Sequence, residues 1–275
     1  MCTIEKGFLG FPAPLLGENS LKLNALAYPG KWVAVEKPSR IPIKPDSGST
    51  AHSENNLETA LQAKASDPLP SWKKWGLGPD FRPKSIFAID TALHGFGLWA
   101  LNDSTLKELR NHYGSSHFTF TYEFLARDHA DSGSEYSVNL PVAQHLQDPS
   151  RYVISTTTGK KAETDFSKIQ SWPRAGIALW SAQTTRTRGH QIRLHAIECG
   201  LTILGEDLYA NDPGVSLLDL KKKRISKRRE AAIPFWPGLN IHLNKLQSPK
   251  ADLDIGFARP ALMQTLIRKL DQFSL

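Results

Sequence analysis

Two spacings of apolar residues organise most of the chain. WVAVEK, from Trp32, is a nearly unbroken apolar run that predicts a buried strand, which Pro38, Pro42 and Pro45 turn into an extended loop. SIFAI (85–89) and FGLWAL (96–101) predict two further strands joined by the turn DTALHG. SHFTFTYEFLARD alternates, placing Phe118, Phe120, Tyr122 and Phe124 on one strand face.

Helical spacing replaces alternation in three places. NNLETALQA offers a capping Asn with Leu57, Ala60 and Leu61 on one face. DSTLKELRNHY offers Asp103 as N-cap with Leu106 and Leu109 inward. The third helix runs from about Gly189 to Cys199 and ends at Gly200, the residue suited to a left-handed C-cap, with Ile192, Ala196, Ile197 and Cys199 inward. Residues 1–30 carry scattered Gly and Pro and no sustained period, which predicts an irregular segment packed on the main domain. Residues 68–83 predict a connecting loop, and no internal repeat is visible.

Composition narrows the class. With 40% hydrophobic and 22% charged residues in 275, the chain suits a globular protein with a substantial core. No run approaches the ~18 apolar residues of a spanning helix, and the N-terminus lacks the pattern of a signal peptide. Two cysteines, Cys2 and Cys199, build no disulfide framework. These features predict a cytoplasmic protein without membrane association. The nine histidines include no pair at helical metal-binding spacing, so no metal site is expected. A formal charge of +7 favours a polyanionic partner. KKKRISKRR, Lys221 to Arg229, holds seven basic residues in nine and is either a solvated insertion or an RNA phosphate contact.

The candidate chemistry centres on Asp90, set between two apolar runs. An aspartate there is ordinarily a turn former. Three segments alter that reading: WVAVEKPSRIPIKP, AIDTALHGFGLWALND and RTRGHQIRLHAIECGLTILGEDLY, with weaker support from NIHLNKLQSP. In this order they resemble the RluA-type family of RNA pseudouridine synthases over roughly residues 30–270.

The resemblance implies that Asp90 is the catalytic carboxylate, nucleophile or base, in an isomerisation of uridine that needs no cofactor or metal. It implies that Arg193 of HQIR is the ionic partner holding that carboxylate charged, against the alternative of an exposed helix residue. Lys37 and Pro38 match the family's Lys-Pro pair, with a structural role or, for Lys37, ligand contact. Arg188 would meet RNA phosphate. The family's pocket tyrosine falls on Phe124, either a platform for the everted base or a core residue.

Departures surround the proposed chemistry. The family has His-Arg-Leu-Asp where this chain has Phe87, Ala88, Ile89 and Asp90, and Thr-Ser-Gly becomes Leu93, His94 and Gly95. The arginine expected to help displace the base is therefore missing. The implied fold is α+β: a long, mostly antiparallel mixed sheet with flanking helices and a central RNA-binding cleft. The expected organisation is an N-terminal extension, residues 1–29, and one catalytic domain, 30–275, with no auxiliary RNA-binding domain ahead of it. The expected partner is RNA, rRNA or tRNA, with no obligate protein partner. The alternative is a catalytically weakened RNA-binding protein of the same fold.

Overall fold

A computed structural model describes residues 4–44, 55–66, 69–128, 133–220 and 233–274. The basic run Lys221 to Arg229 lies outside these residues. Two compact units divide the chain: Met1–Thr119 with Thr185–Thr187 and Lys245–Phe257, and Phe120–Thr184 with Arg188–Asn244 and Ala258–Leu275.

The first unit holds a five-stranded antiparallel sheet of β1 (Glu5–Phe11), β2 (Leu21–Tyr28), β3 (Trp32–Lys37), β4 (Lys84–Ser85) and β5 (Gly95–Ala100), in the order β1-β2-β3-β5-β4. The first two strands correct the expectation of an irregular N-terminus. Leu9, Phe11, Leu23, Ala25 and Ala27 are buried, while Lys6, Phe8, Lys22 and Asn24 alternate outward. Glycines dilute this period of two. At Gly7 the reason is steric, because an added Cβ would come within 2.8 Å of the Trp75 ring.

The expected strand at SIFAI shrinks to Lys84–Ser85. Beyond it Ile86 N–H donates to Leu98 O at 2.9 Å. Burial of Ile86, Phe87 and Ile89, rather than a ladder, holds this segment. Helix α1 (Leu57–Ser66) is capped by Asn56, whose Oδ1 accepts from Thr59 N–H at 2.9 Å, and buries Leu57, Ala60 and Leu61 as the spacing predicts. The loop expected over 68–83 contains the short helix α2 (Pro70–Lys73) and buries Trp72 and Trp75. Helix α3 (Asp103–Gly114) is capped by Asn102 rather than Asp103: Asn102 has extended backbone and accepts from Thr105 N–H at 2.8 Å, which leaves Asp103 in the first turn.

In the second unit, β6 (Thr119–Arg127), β7 (Glu135–Asn139), β10 (Glu163–Trp172), β11 (Ile177–Thr184) and the first half of β12 (Ile241–Ser248) are ordered β12-β6-β11-β10-β7. The pairings described for β6, β7, β10 and β11 are antiparallel. A separate hairpin joins β8 (Val142–Gln144) to β9 (Tyr152–Ile154). The second half of β12 belongs to the first unit, where it pairs with β13 (Leu253–Gly256). Three helices complete the description: α4 (Gln191–Glu198), α5 (Leu217–Leu220) and α6 (Ala261–Ser274). Leu125, Trp172, Leu179 and Trp236 form a core with Met263, Leu266 and Leu270 of α6.

Strand β6 is not the one-faced strand that alternation predicts. Its last residues are buried on both sides, since Leu125 enters that core while Glu123 is buried and paired with Arg259 at 2.6 Å. Among the described residues, no helix is long and apolar enough to cross a membrane.

Candidate active site

In the first unit, Asp90 occupies a tight turn closed by Leu93 N–H donating to Asp90 O at 3.1 Å. Ile89 and Leu93 are buried on either side and anchor it, while Asp90 is half-buried and Ala88 exposed. Gly95, at φ 153°, leaves the turn in a conformation that favours glycine and starts β5 opposite Lys37. The bulkier residues of this loop divide, with Leu93 buried and His94 half-buried.

Lys37 ties the turn down from behind. Its side chain has no exposed surface, and its ammonium donates to Leu93 O at 2.6 Å, Thr91 O at 3.0 Å and Pro38 O at 3.1 Å. Arg40 N–H adds a 2.7 Å bond to Thr91 O. Burial lowers the Lys37 pKa from 10.5 to about 7, opposed by attraction to the Asp90 charge. The Lys-Pro segment thus supplies the Asp90 turn with hydrogen bonds and with a positive charge.

The second unit carries the other sequence-predicted residues. Helix α4 starts from His190, a non-glycine residue in left-handed conformation at φ 54°. Its Nδ1 lies 2.7 Å from the Tyr209 hydroxyl, and its ring lies between Tyr152 and Tyr209, with centroids 5.0 and 5.7 Å away. Gly189 is required here, because a Cβ would fall 2.1 Å from the Tyr152 ring. At the other end Gly200, at φ 73°, ends the helix in the left-handed conformation expected of it.

The helix buries polar residues as well as apolar ones. Gln191 Nε2 donates to Thr164 Oγ1 and Thr184 Oγ1 at 3.0 and 2.9 Å. His195 Nε2 lies 2.9 Å from Leu140 O and must donate to it. Its Nδ1 lies 2.9 Å from Thr164 Oγ1. Burial lowers the His195 pKa and so favours the neutral imidazole, in which Nδ1 accepts from that hydroxyl.

Arg193 is buried, not an exposed helix residue. Its Nε and Nη2 meet Glu206 Oε2 and Oε1 at 2.7 and 2.5 Å, a bidentate pair in which both side chains are nearly inaccessible. Glu206 Oε1 also accepts from Leu208 and Tyr209 N–H, and the guanidinium lies 5.2 Å from the Tyr209 ring centroid. Sequence reasoning passed over Glu206. The available signal was a carboxylate in GEDLY, in the same motif as an arginine that burial would oblige to find a counter-charge. Arg188 is half-buried, its Nε donating to Lys161 O at 3.4 Å. Phe124 has no exposed surface and packs edge-on against Phe166 at 5.9 Å. Among the described residues, no group of three or more His, Cys, Asp or Glu side chains is arranged to hold a metal ion.

No family model matches the chain. It is 25% identical over 201 residues to an uncharacterized RNA pseudouridine synthase of Aquifex aeolicus, covering 72% of this chain and 60% of that protein. It is 27% identical over 124 residues to the dual-specificity RNA pseudouridine synthase RluA of Haemophilus influenzae, covering 45% and 55% respectively. The chain therefore spans little more than half the length of these curated relatives. Its structure is similar to human RNA pseudouridylate synthase domain containing 4, with a TM-score of 0.63 at 18% identity over 88% of this chain and 90% of that one. Human RNA pseudouridylate synthase domain containing 1 gives a TM-score of 0.53 at 15% identity over 88% and 91%. The α+β fold is that of the pseudouridine synthases. By sequence the chain is similar to RluA-type RNA pseudouridine synthases.

Proposed function

We propose that the chain is an RNA pseudouridine synthase in which Asp90 supplies the catalytic carboxylate. The observation that supports this most is the Asp90 turn itself, a half-buried acid on a short loop that a buried ammonium grips through Thr91 O and Leu93 O. Pre-positioning of this kind serves a group that must meet one sugar carbon of an everted nucleotide. In the reaction the bond from C1′ to N1 breaks, the uracil turns, and C5 bonds to C1′. N1 gains a proton as C5 loses one, so the product is an isomer of the reactant. The Asp90 carboxylate either attacks C1′ or removes a sugar proton.

In this proposal Arg193 is the ionic partner of Asp90. Arg188 and the run Lys221 to Arg229 meet phosphates. Phe124 serves as a base platform only if its covered ring face opens. We place the activity on rRNA or tRNA, in the cytoplasm, in one catalytic domain from residue 30 onward. The test is a transcriptome-wide pseudouridine map in cells lacking the gene, complemented with wild type or Asp90→Asn. Sites restored by wild type alone support the proposal, and identical maps contradict it.

A second reading is favoured by the full burial of Phe124 and by Ala88 standing where the family has arginine. It is an RNA-binding protein of the same fold with weakened turnover, whose salt-sensitive RNA binding survives Asp90→Asn.

A further inference from the structure

The N-terminal hairpin of the first unit takes no part in the Asp90 turn, yet its outward face has a composition that packing alone does not explain. Alternation along β1 and β2 turns Lys6 and Phe8 outward beside Lys22, Asn24, Leu26 and Tyr28, with pairings Lys6↔Leu26 and Phe8↔Asn24. The opposite face, with Leu9, Phe11, Leu23, Ala25 and Ala27, is buried in the core. Phe8 is 54% exposed. Lys22 Nζ lies 4.4 Å from its ring centroid. A second pair repeats the arrangement, with Lys31 Nζ 4.8 Å from the centroid of the half-buried Tyr28. Tyr28 lies four residues along β2 from Asn24, the partner of Phe8, a spacing of roughly 13 Å. Lys6, Lys22 and Lys31 are all exposed. Glu36, the acid reaching this face from β3, is engaged by Asn24 N–H and Nδ2.

We propose that this face binds a strand of RNA, with a base stacked on Phe8, a second aromatic contact at Tyr28, and phosphates held by Lys6, Lys22 and Lys31. The inference rests on the RNA-directed reading above. Aromatic rings interleaved with ammonium groups on an open sheet fit single-stranded nucleic acid, because each base offers a face and each nucleotide a charge. A lysine over an exposed ring gains little, whereas the same lysine turned to a phosphate releases a counterion. The hairpin would then extend the enzyme's grip to RNA flanking the modified uridine.

The test measures anisotropy of a fluorescein-labelled oligouridylate titrated with the full chain at several salt concentrations. Phe8→Ala is expected to raise Kd by about fivefold or more, and Phe8→Trp to preserve affinity. Replacing Lys6, Lys22 and Lys31 together by Ala should reduce the slope of log K against log salt by about 2. Poly-L-glutamate, with charge but no base, should compete equally against wild type and Phe8→Ala. A Phe8→Ala protein with unaltered thermal midpoint and a Kd within about twofold of wild type overturns the inference. Isomerisation is not read here. A chain that binds through this face but forms no pseudouridine therefore sinks the functional reading alone.

Discussion

Two buried cations, one in each unit, are held in opposite ways. Arg193 meets a carboxylate, Glu206, in a bidentate pair whose charges cancel where they sit. Lys37 meets three carbonyl oxygens, and its attraction to the Asp90 charge only partly offsets its burial. The guanidinium remains protonated at any accessible pH, whereas the ammonium is brought to the edge of losing its proton. Arg193 and Glu206 therefore form a permanent brace for the start of α4. Lys37 is a titratable clamp on the loop that carries the proposed chemistry.

The largest expected effect comes from breaking the brace. Glu206→Ala leaves the Arg193 charge buried and opens the N–H groups of Leu208 and Tyr209, so the loss of stability should reach about 3–5 kcal/mol, measured by urea unfolding. Lys37→Met should cost less stability, about 1–3 kcal/mol, because it deprives carbonyls of a donor without stranding a charge. Its effect on turnover should be larger, about tenfold to a hundredfold in kcat, since the Asp90 turn loses its positioning. Equal losses in both quantities would make Lys37 a structural residue only.

Acidity separates the two regions further. The folded Lys37 pKa of about 7 lies below its ordinary 10.5, so between these values the unfolded chain holds a proton that the native chain has released. The Lys37 contribution to stability should therefore rise as pH increases from 7 toward 10.5. Activity should move the other way, because a neutral amine has one N–H fewer for the three carbonyls and no charge for Asp90. An alkaline limb near pH 7 in kcat, absent from Lys37→Met, is the expected signature. The smallest effect is expected at a feature outside both regions: Asn56→Ala should cost about 1 kcal/mol through loss of the α1 cap, measured as a lowered thermal midpoint.

What the sequence made legible follows the same division. The Asp90 turn could be read because it is local, with an apolar run on each side and Gly95 at the position that needs it. Helix α4 was equally plain, ended by Gly200. The partners of the buried cations are not local. Glu206 lies thirteen residues from Arg193, and Lys37 reaches carbonyls of residues more than fifty positions away. No periodicity reports such contacts. The N-terminal strands escaped notice for a different reason, since Gly7 and Gly10 interrupt an alternation whose buried members are few per strand. SIFAI misled in reverse, because burial of an apolar run does not require that its backbone join a ladder.

The proposal for the whole chain turns on whether one carboxylate carries the isomerisation. RNA labelled with tritium at uridine C5 releases that label to water as pseudouridine forms, so the protein incubated with RNA from cells lacking it reports the chemistry directly. Wild type is expected to release tritium, and Asp90→Asn, folded and still binding RNA, is expected to release none above background. Equal release by the two proteins would contradict the assignment of Asp90.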